Sequence, residues 1–229
     1  RQRGGTGPNI AYTLALLGSR PRLVATAGED FTEYREWLEQ NGVDTCGVKI
    51  IPGQYTASFF ANTDKANAQI ASFYTGAMAH ADEISLLALG VKAPDLVIIS
   101  PNDPEAMAQY VVECKANKIP YAYDPSQQIV RIESEQLKAG VEGALALFVN
   151  EYEFELLQKR TGMSAQQIVD KVNFTVITCG ENGSRIHQEG KEFIIPIVPT
   201  RLIADPTGVG DAYPVSYTHL RAHETVLDL

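Results

Sequence analysis

Asp95-Leu96-Val97-Ile98-Ile99-Ser100-Pro101-Asn102-Asp103-Pro104 sets the pattern on which the fold turns. The run Asp95 to Ile99, apolar from Leu96 and β-branched from Val97, predicts a strand. Asp103 before Pro104 predicts a helix with a capping carboxylate and a proline at its first position, where a missing N–H costs nothing. A polar loop joins the two. The rhythm repeats downstream: a strand at 121–123, a helix over 133–142, a strand over 144–149, helices over 151–159 and 165–172, and a strand over 174–178. Ile186 and residues 193–198 add further β structure. Strands alternating with helices predict an α/β fold, a mostly parallel central sheet with helices on both faces.

Upstream, residues 10–17 carry helical spacing up to Gly18, Leu23 to Gly28 read as a short buried strand, and residues 31–40 as a helix stopped by Asn41-Gly42. Residues 48–61 and 69–74 are rich in β-branched and aromatic types around the polar turn Asn62-Thr63-Asp64-Lys65. That hairpin stands outside the βα rhythm and is expected to form a small lid over residues 47–74. The α/β core is then expected over 1–46 and 75–213. There is no internal repeat and no low-complexity linker.

The bulk numbers narrow the partners. A chain of 229 residues has material for one α/β domain with a small accessory piece. Its net charge of −9 argues against a general nucleic-acid or membrane-surface binder, since those partners attract basic faces. No apolar run approaches a membrane span, and Arg1-Gln2-Arg3 leads into Gly4-Gly5 rather than a signal-peptide core. Cys46, Cys114 and Cys179 form no C-x-x-C pair, so a reduced cytoplasmic setting with inert core thiols is expected.

In open α/β sheets, ligands bind beyond the carboxyl ends of the strands. The polar clusters follow that rule: Ser100 to Asp103, Asp124-Pro125-Ser126-Gln127-Gln128, Asn150 to Glu153 and Thr178-Cys179-Gly180 each follow a predicted strand. The richest stretch comes last, Asp205-Pro206-Thr207-Gly208-Val209-Gly210-Asp211. A glycine-rich loop entering a helix offers unpaired N–H groups to a phosphate and to charge developing in a transition state. Asp211 could accept the proton of an attacking hydroxyl. The same residues also read as an ordinary helix start with a first-turn carboxylate favoured by the dipole.

Asn150-x-x-Glu153 has the same two readings, a capping box or hard oxygen ligands for Mg²⁺ and its waters. Gly4-Gly5-Thr6-Gly7-Pro8-Asn9 allows close backbone approach, with Asn9 as donor and acceptor. It is neither a G-x-G-x-x-G fingerprint nor a Walker A loop. Phe59, Phe60, Phe73 and Tyr74 read as core or as a stacking surface for a planar base. His80 and His187 stand alone, and His219 with His223 lacks companions for a metal set.

Together the glycine-rich opening with Asn9, the Asn-x-x-Glu, Thr178 to Gly183 as Thr-x-Gly-x-x-Gly, and Asp-Pro-Thr-Gly-Val-Gly-Asp resemble the ribokinase-like (PfkB) carbohydrate and nucleoside kinases, in the same order along the chain. Within that family the chain looks most like the bacterial adenosine kinases of the mycobacterial type, through residues 28–42, 68–74, 102–107 and 124–128. The resemblance implies phosphoryl transfer from ATP, with Mg²⁺, to the 5′-hydroxyl of adenosine. It implies Asp211 as base, Gly208, Val209 and Gly210 as anion hole, and Gly5 and Asn9 at the ribose. Gln127 and Gln128 would face the nucleoside, and Phe59 and Phe73 would flank its base. Asn150 and Glu153 would organise Mg²⁺ through water together with the ATP phosphates, and Thr178, Gly180 and Gly183 would line the nucleotide site. A lid of this kind excludes water, and often pairs with the lid of a second copy.

The chain also departs from the family pattern. The first strand and its ribose-binding aspartate are expected before Arg1, and relatives commonly carry proline at Thr75. Residues 214–229 match nothing in the family and are expected to be a foreign tail, with Pro214 disrupting the helix that follows the base. Two alternatives therefore stand beside adenosine kinase: a PfkB-type sugar kinase acting on ribose, fructose or the like, and a non-catalytic truncated fragment. A dinucleotide-dependent oxidoreductase lacks its glycine fingerprint.

Overall fold

The structure, a computed structural model, describes residues 3–63, 69–89, 94–198, 210–211 and 213–215. The chain divides into two compact units, Arg1–Ile84 and Ser85–Leu229.

In the first unit, helix α1 (Thr6–Leu16) precedes strand β1 (Arg22–Ala27), helix α2 (Thr32–Gln40) and strand β2 (Asp44–Ile50). The two strands pair in parallel. The connection forms because one face of each element is apolar: Ala11, Leu23, Phe31, Leu38, Val43 and Val48 make one buried cluster, edged by Tyr34 and Trp37. Strands β3 (Ser58–Thr63) and β4 (Gln69–Tyr74) form an antiparallel hairpin with Phe59 opposite Phe73. The β-rich run expected from residue 48 thus splits. Residues 47–50 belong to the parallel ladder with β1, because Val48 packs into that core. The connecting turn is pinned instead by Asp30, whose Oδ1 accepts from the Thr56 amide at 2.8 Å and its hydroxyl at 2.7 Å.

The second unit carries the βα rhythm. Strands β5 (Val97–Ile99), β6 (Tyr121–Tyr123), β7 (Ala146–Asn150) and β8 (Phe174–Thr178) run parallel, and β9 (Ser184–Gln188) and β10 (Lys191–Ile195) extend the sheet antiparallel in the order β10-β9-β8-β7-β6-β5. Helices α3 (Pro104–Ala116), α4 (Ser134–Val141), α5 (Glu151–Thr161) and α6 (Ala165–Val169) lie between the strands. Asp103 caps α3 as expected, accepting from the Glu105 amide at 3.0 Å and the Ala106 amide at 3.4 Å. Helix α6 stops at Val169, three residues earlier than its periodicity predicts. The parallel strands are buried almost throughout: Ala146, Leu147, Val149, Val176 and Ile177 are all core. The leucine, valines and isoleucine among them contribute about 1.5–3 kcal/mol each, so the sheet is held by its middle and its ends are left to other tasks.

Because β5 to β8 are parallel neighbours, the four polar loops do share one edge. No helix among the described residues is long and apolar enough to cross a membrane. The thiol expectation holds only in part: Cys114 is buried in α3, Cys179 is half-buried, and Cys46 is exposed, because β2 turns that position away from the core. All three cysteines are free.

Candidate active site

At the carboxyl ends of β6, β7 and β8 lies a cavity of about 190 Å³, lined by Asp124, Ser126, Asn150, Glu153, Thr178, Gly210, Asp211 and Tyr213, with Phe148 and Val149 behind them. Five residues expected from the motifs meet here: Asn150, Glu153, Thr178, Gly210 and Asp211. A larger depression of about 370 Å³ lies at the opposite end of β8, bordered by Asp170, Phe174, His187 and Glu189. It holds none of the motif residues and lies away from the strand ends where ligands bind. Chemistry identifies the smaller one.

Asn150 ends β7 and opens α5, so strand geometry and helix capping converge on it. Its Oδ1 accepts from the Glu153 amide at 2.8 Å, and Glu153 Oε2 accepts from the Asn150 amide at 2.8 Å. The capping-box reading is therefore correct. It is compatible with the functional one, since the box holds both side chains at the cavity. The other carboxylate oxygen, Glu153 Oε1, accepts from the Ser126 hydroxyl at 3.2 Å. Ser126 sits at φ 40°, an uncommon conformation for a residue with a side chain.

Asp124 is a lining residue that the motifs did not single out. It follows β6 and is 8% exposed. Burial pushes its pKa up to about 8, with the charges of Glu153 and Asp211 adding to the rise. A carboxyl group in such a place costs free energy as an anion unless a cation or proton compensates it.

Two further elements frame the cavity. After β8, the turn from Cys179 to Gly183 closes on itself, the Cys179 amide donating to the Gly183 carbonyl at 2.8 Å. Gly183 has φ 84°, and a Cβ there would drive into the Ile195 carbonyl, so this position excludes a side chain twice over. Gly210, Asp211 and Tyr213 to Val215 have helical backbone. The break expected at Pro214 does not occur in these residues. Burial of Val215, 1% exposed, and packing of Tyr213 on the sheet core hold the turn against the lost hydrogen bond.

The remaining expected site residues lie elsewhere. Gln127 is exposed and Gln128 is buried, with its Oε1 unpartnered among the described residues; neither is among the residues that line the cavity. Gly180, at φ 55°, and Gly183 shape the turn beside it. Gly5, Asn9, Phe59 and Phe73 belong to the first unit. Gly5, at φ 101°, caps α1 and accepts at its carbonyl from the Asn9 amide at 3.0 Å. Phe59 and Phe73 face each other across the hairpin, 67% and 51% exposed, so they are not a core. His80 is held by Glu83 at 2.8 Å. Gly208, Val209, His219 and His223 lie outside the described residues.

Comparison with known proteins shows the family. The family model of pfkB family carbohydrate kinases matches residues 1–226, and so extends beyond Asp211 into the 214–229 segment. The chain is 27% identical over 216 residues to a nucleoside kinase of Methanocaldococcus jannaschii, covering 93% of this chain and 70% of the relative. It is 26% identical over 227 residues to a cytidine kinase of Thermococcus kodakarensis, covering 92% and 77%. The structure of Burkholderia thailandensis nucleoside kinase in complex with inosine superposes with a TM-score of 0.91 at 32% identity, over 98% of this chain and 75% of that one. These relatives are nucleoside kinases, so the narrower likeness to mycobacterial-type adenosine kinases is not what they carry. The chain belongs to the pfkB family of carbohydrate kinases, phosphotransferases of ribokinase-like α/β fold that use ATP.

Proposed function

We propose that the protein transfers the γ-phosphoryl group of ATP to the 5′-hydroxyl of a nucleoside, with adenosine as the preferred acceptor, giving AMP and ADP. The observation that carries this reading is the cavity where Asp211, on helical backbone with Gly210, meets Asn150, Glu153 and Thr178. Asp211 takes the proton of the 5′-hydroxyl as the new O–P bond forms. The amides of Gly208 to Gly210 would face the transferred group, whose charge spreads over its outer oxygens. Thr178, Gly180 and Gly183 would bound the nucleotide.

The residues present fit Mg²⁺. Asp124, Asn150 and Glu153 supply hard oxygens, and among the described residues no lysine, arginine or histidine lines the cavity to neutralise them. Among the described residues no three His, Cys, Asp or Glu side chains are gathered tightly enough to hold a metal directly. Asn150 and Glu153 would therefore hold the ion through its water shell, as Mg²⁺ readily allows. When bound it would neutralise phosphate charge.

A base-bearing acceptor is favoured over a free sugar by the nucleoside and cytidine kinases among the relatives, and by the inosine complex. The exposed Phe59–Phe73 pair suits stacking against a planar base. The test is a panel of adenosine, inosine, cytidine, ribose and fructose with ATP and Mg²⁺, with the product's phosphate position read by ³¹P NMR. Adenosine is expected to turn over fastest and to be phosphorylated at the 5′-oxygen. Preference for a free sugar would overturn the acceptor class, and absence of turnover with every acceptor would leave the fragment reading standing.

A further inference from the structure

Two residues beyond Asp211, the phenol of Tyr213 makes a short hydrogen bond with the Ser184 hydroxyl. Both ends of this contact are built in. Ser184 is fully buried, and it is the first residue of β9, immediately after the Cys179–Gly183 turn and opposite Thr178 in the ladder. Buried hydroxyls need partners, and Tyr213 supplies one. The ring of Tyr213 packs against the sheet-face cluster that includes Ala146, Phe148 and Val176. Tyr213 and Thr178 both line the cavity.

We propose that Tyr213 is a positioning residue: its hydrogen bond to Ser184 ties the helical turn bearing Asp211 to the β8–β9 turn that bounds the nucleotide. The two groups that must be in register for in-line transfer, the base and the nucleotide-binding turn, come from segments far apart in sequence. Apolar packing of the ring fixes depth but leaves rotation and sliding free; a directional hydroxyl pair removes that freedom. Misplacement of a reacting group by a fraction of an ångström is costly. A phenylalanine would fill the same space without the tie.

The inference rests on Asp211 as base, and its test can fail independently of that assignment. Tyr213→Phe, Ser184→Ala and the double variant are made in the full chain. For each, kcat, both KM values, the melting temperature and the ADP dissociation constant by calorimetry are measured. Each single change is expected to lower kcat by roughly three- to thirtyfold, with the nucleoside KM within about twofold. Each is expected to weaken ADP by about threefold, and the double variant to be no worse than the poorer single one. An unchanged kcat with a lowered melting temperature would mark the pair as packing alone and overturn the proposal. So would kcat losses that multiply in the double variant, or a loss carried entirely by KM. If Asp211→Asn stays active the base assignment fails, and the ADP cycle, which needs no base, still decides the tether.

Discussion

Along β7, Ala146 and Leu147 are fully buried, whereas Asn150 at the strand's carboxyl end is exposed and exchanges hydrogen bonds with Glu153. The contrast is sharper on β6, where the buried ring of Tyr123 is followed at once by Asp124, buried among other carboxylates. Within one or two residues the chain passes from packing that stabilises the fold to an arrangement that opposes it. Strand middles hold the sheet together. Strand ends carry groups that suit a charged ligand, and they are tolerated because the middles supply a surplus. Substitutions in the two zones should therefore separate stability from chemistry.

The largest stability effect is expected in the middle. Leu147→Ala leaves a cavity in a fully buried position and should cost about 2–5 kcal/mol in denaturant unfolding. ADP affinity at the native baseline should be unchanged. A large loss of affinity without loss of stability would erase the distinction between the zones.

Next comes Asp124, where the sign reverses. An unfolded aspartate titrates near pH 4, while burial and then its acidic neighbours push the folded group up to about 8. Between those values the folded state holds a proton that the unfolded state has lost, so stability falls as pH rises through this window. Asp124→Asn removes that penalty. The variant should match the parent near pH 4 and exceed it at pH 9 by on the order of 1–4 kcal/mol, measured by urea unfolding with a chelator present. An advantage independent of pH would contradict the burial argument.

The smallest effect belongs to the residue shared by both zones. Asn150→Ala should lose the cap of α5, about 1 kcal/mol. Glu153→Gln keeps an oxygen for the Asn150 amide and should stay within about 0.5 kcal/mol of the parent. It should nonetheless weaken Mn²⁺ binding followed by electron paramagnetic resonance in the presence of ADP. Unaltered Mn²⁺ binding in Glu153→Gln would remove the proposed cation role and leave only the cap.

The middles were legible in the sequence because burial on both faces writes itself as apolar runs, as at Ala146–Val149 and Phe174–Ile177. Asn150, Glu153, Thr178 and Asp211 were singled out through the motifs that resemble the PfkB kinases, and they line one cavity. Asp124 was not singled out, although its cluster was. Nothing in Tyr-Asp-Pro-Ser distinguishes a buried, crowded carboxylate from a solvated turn aspartate, because its neighbours Glu153 and Asp211 come from other segments. Tyr213 escaped for the same reason, since its partner Ser184 lies across the sheet. The β2 boundary was misplaced because Val48 could serve a lid strand or a parallel strand equally well; its pairing with Ala25 on β1 decides it.

Phosphoryl transfer at the carboxyl edge of this sheet, with Asp211 as its base, is the proposal from which the other roles follow. Single-turnover formation of AMP from ATP and adenosine, compared between the parent chain and Asp211→Asn at matched melting temperature, tests it most directly. The expected loss is roughly 10²- to 10⁴-fold with ADP affinity retained. AMP formation by Asp211→Asn at the parent's rate would contradict it.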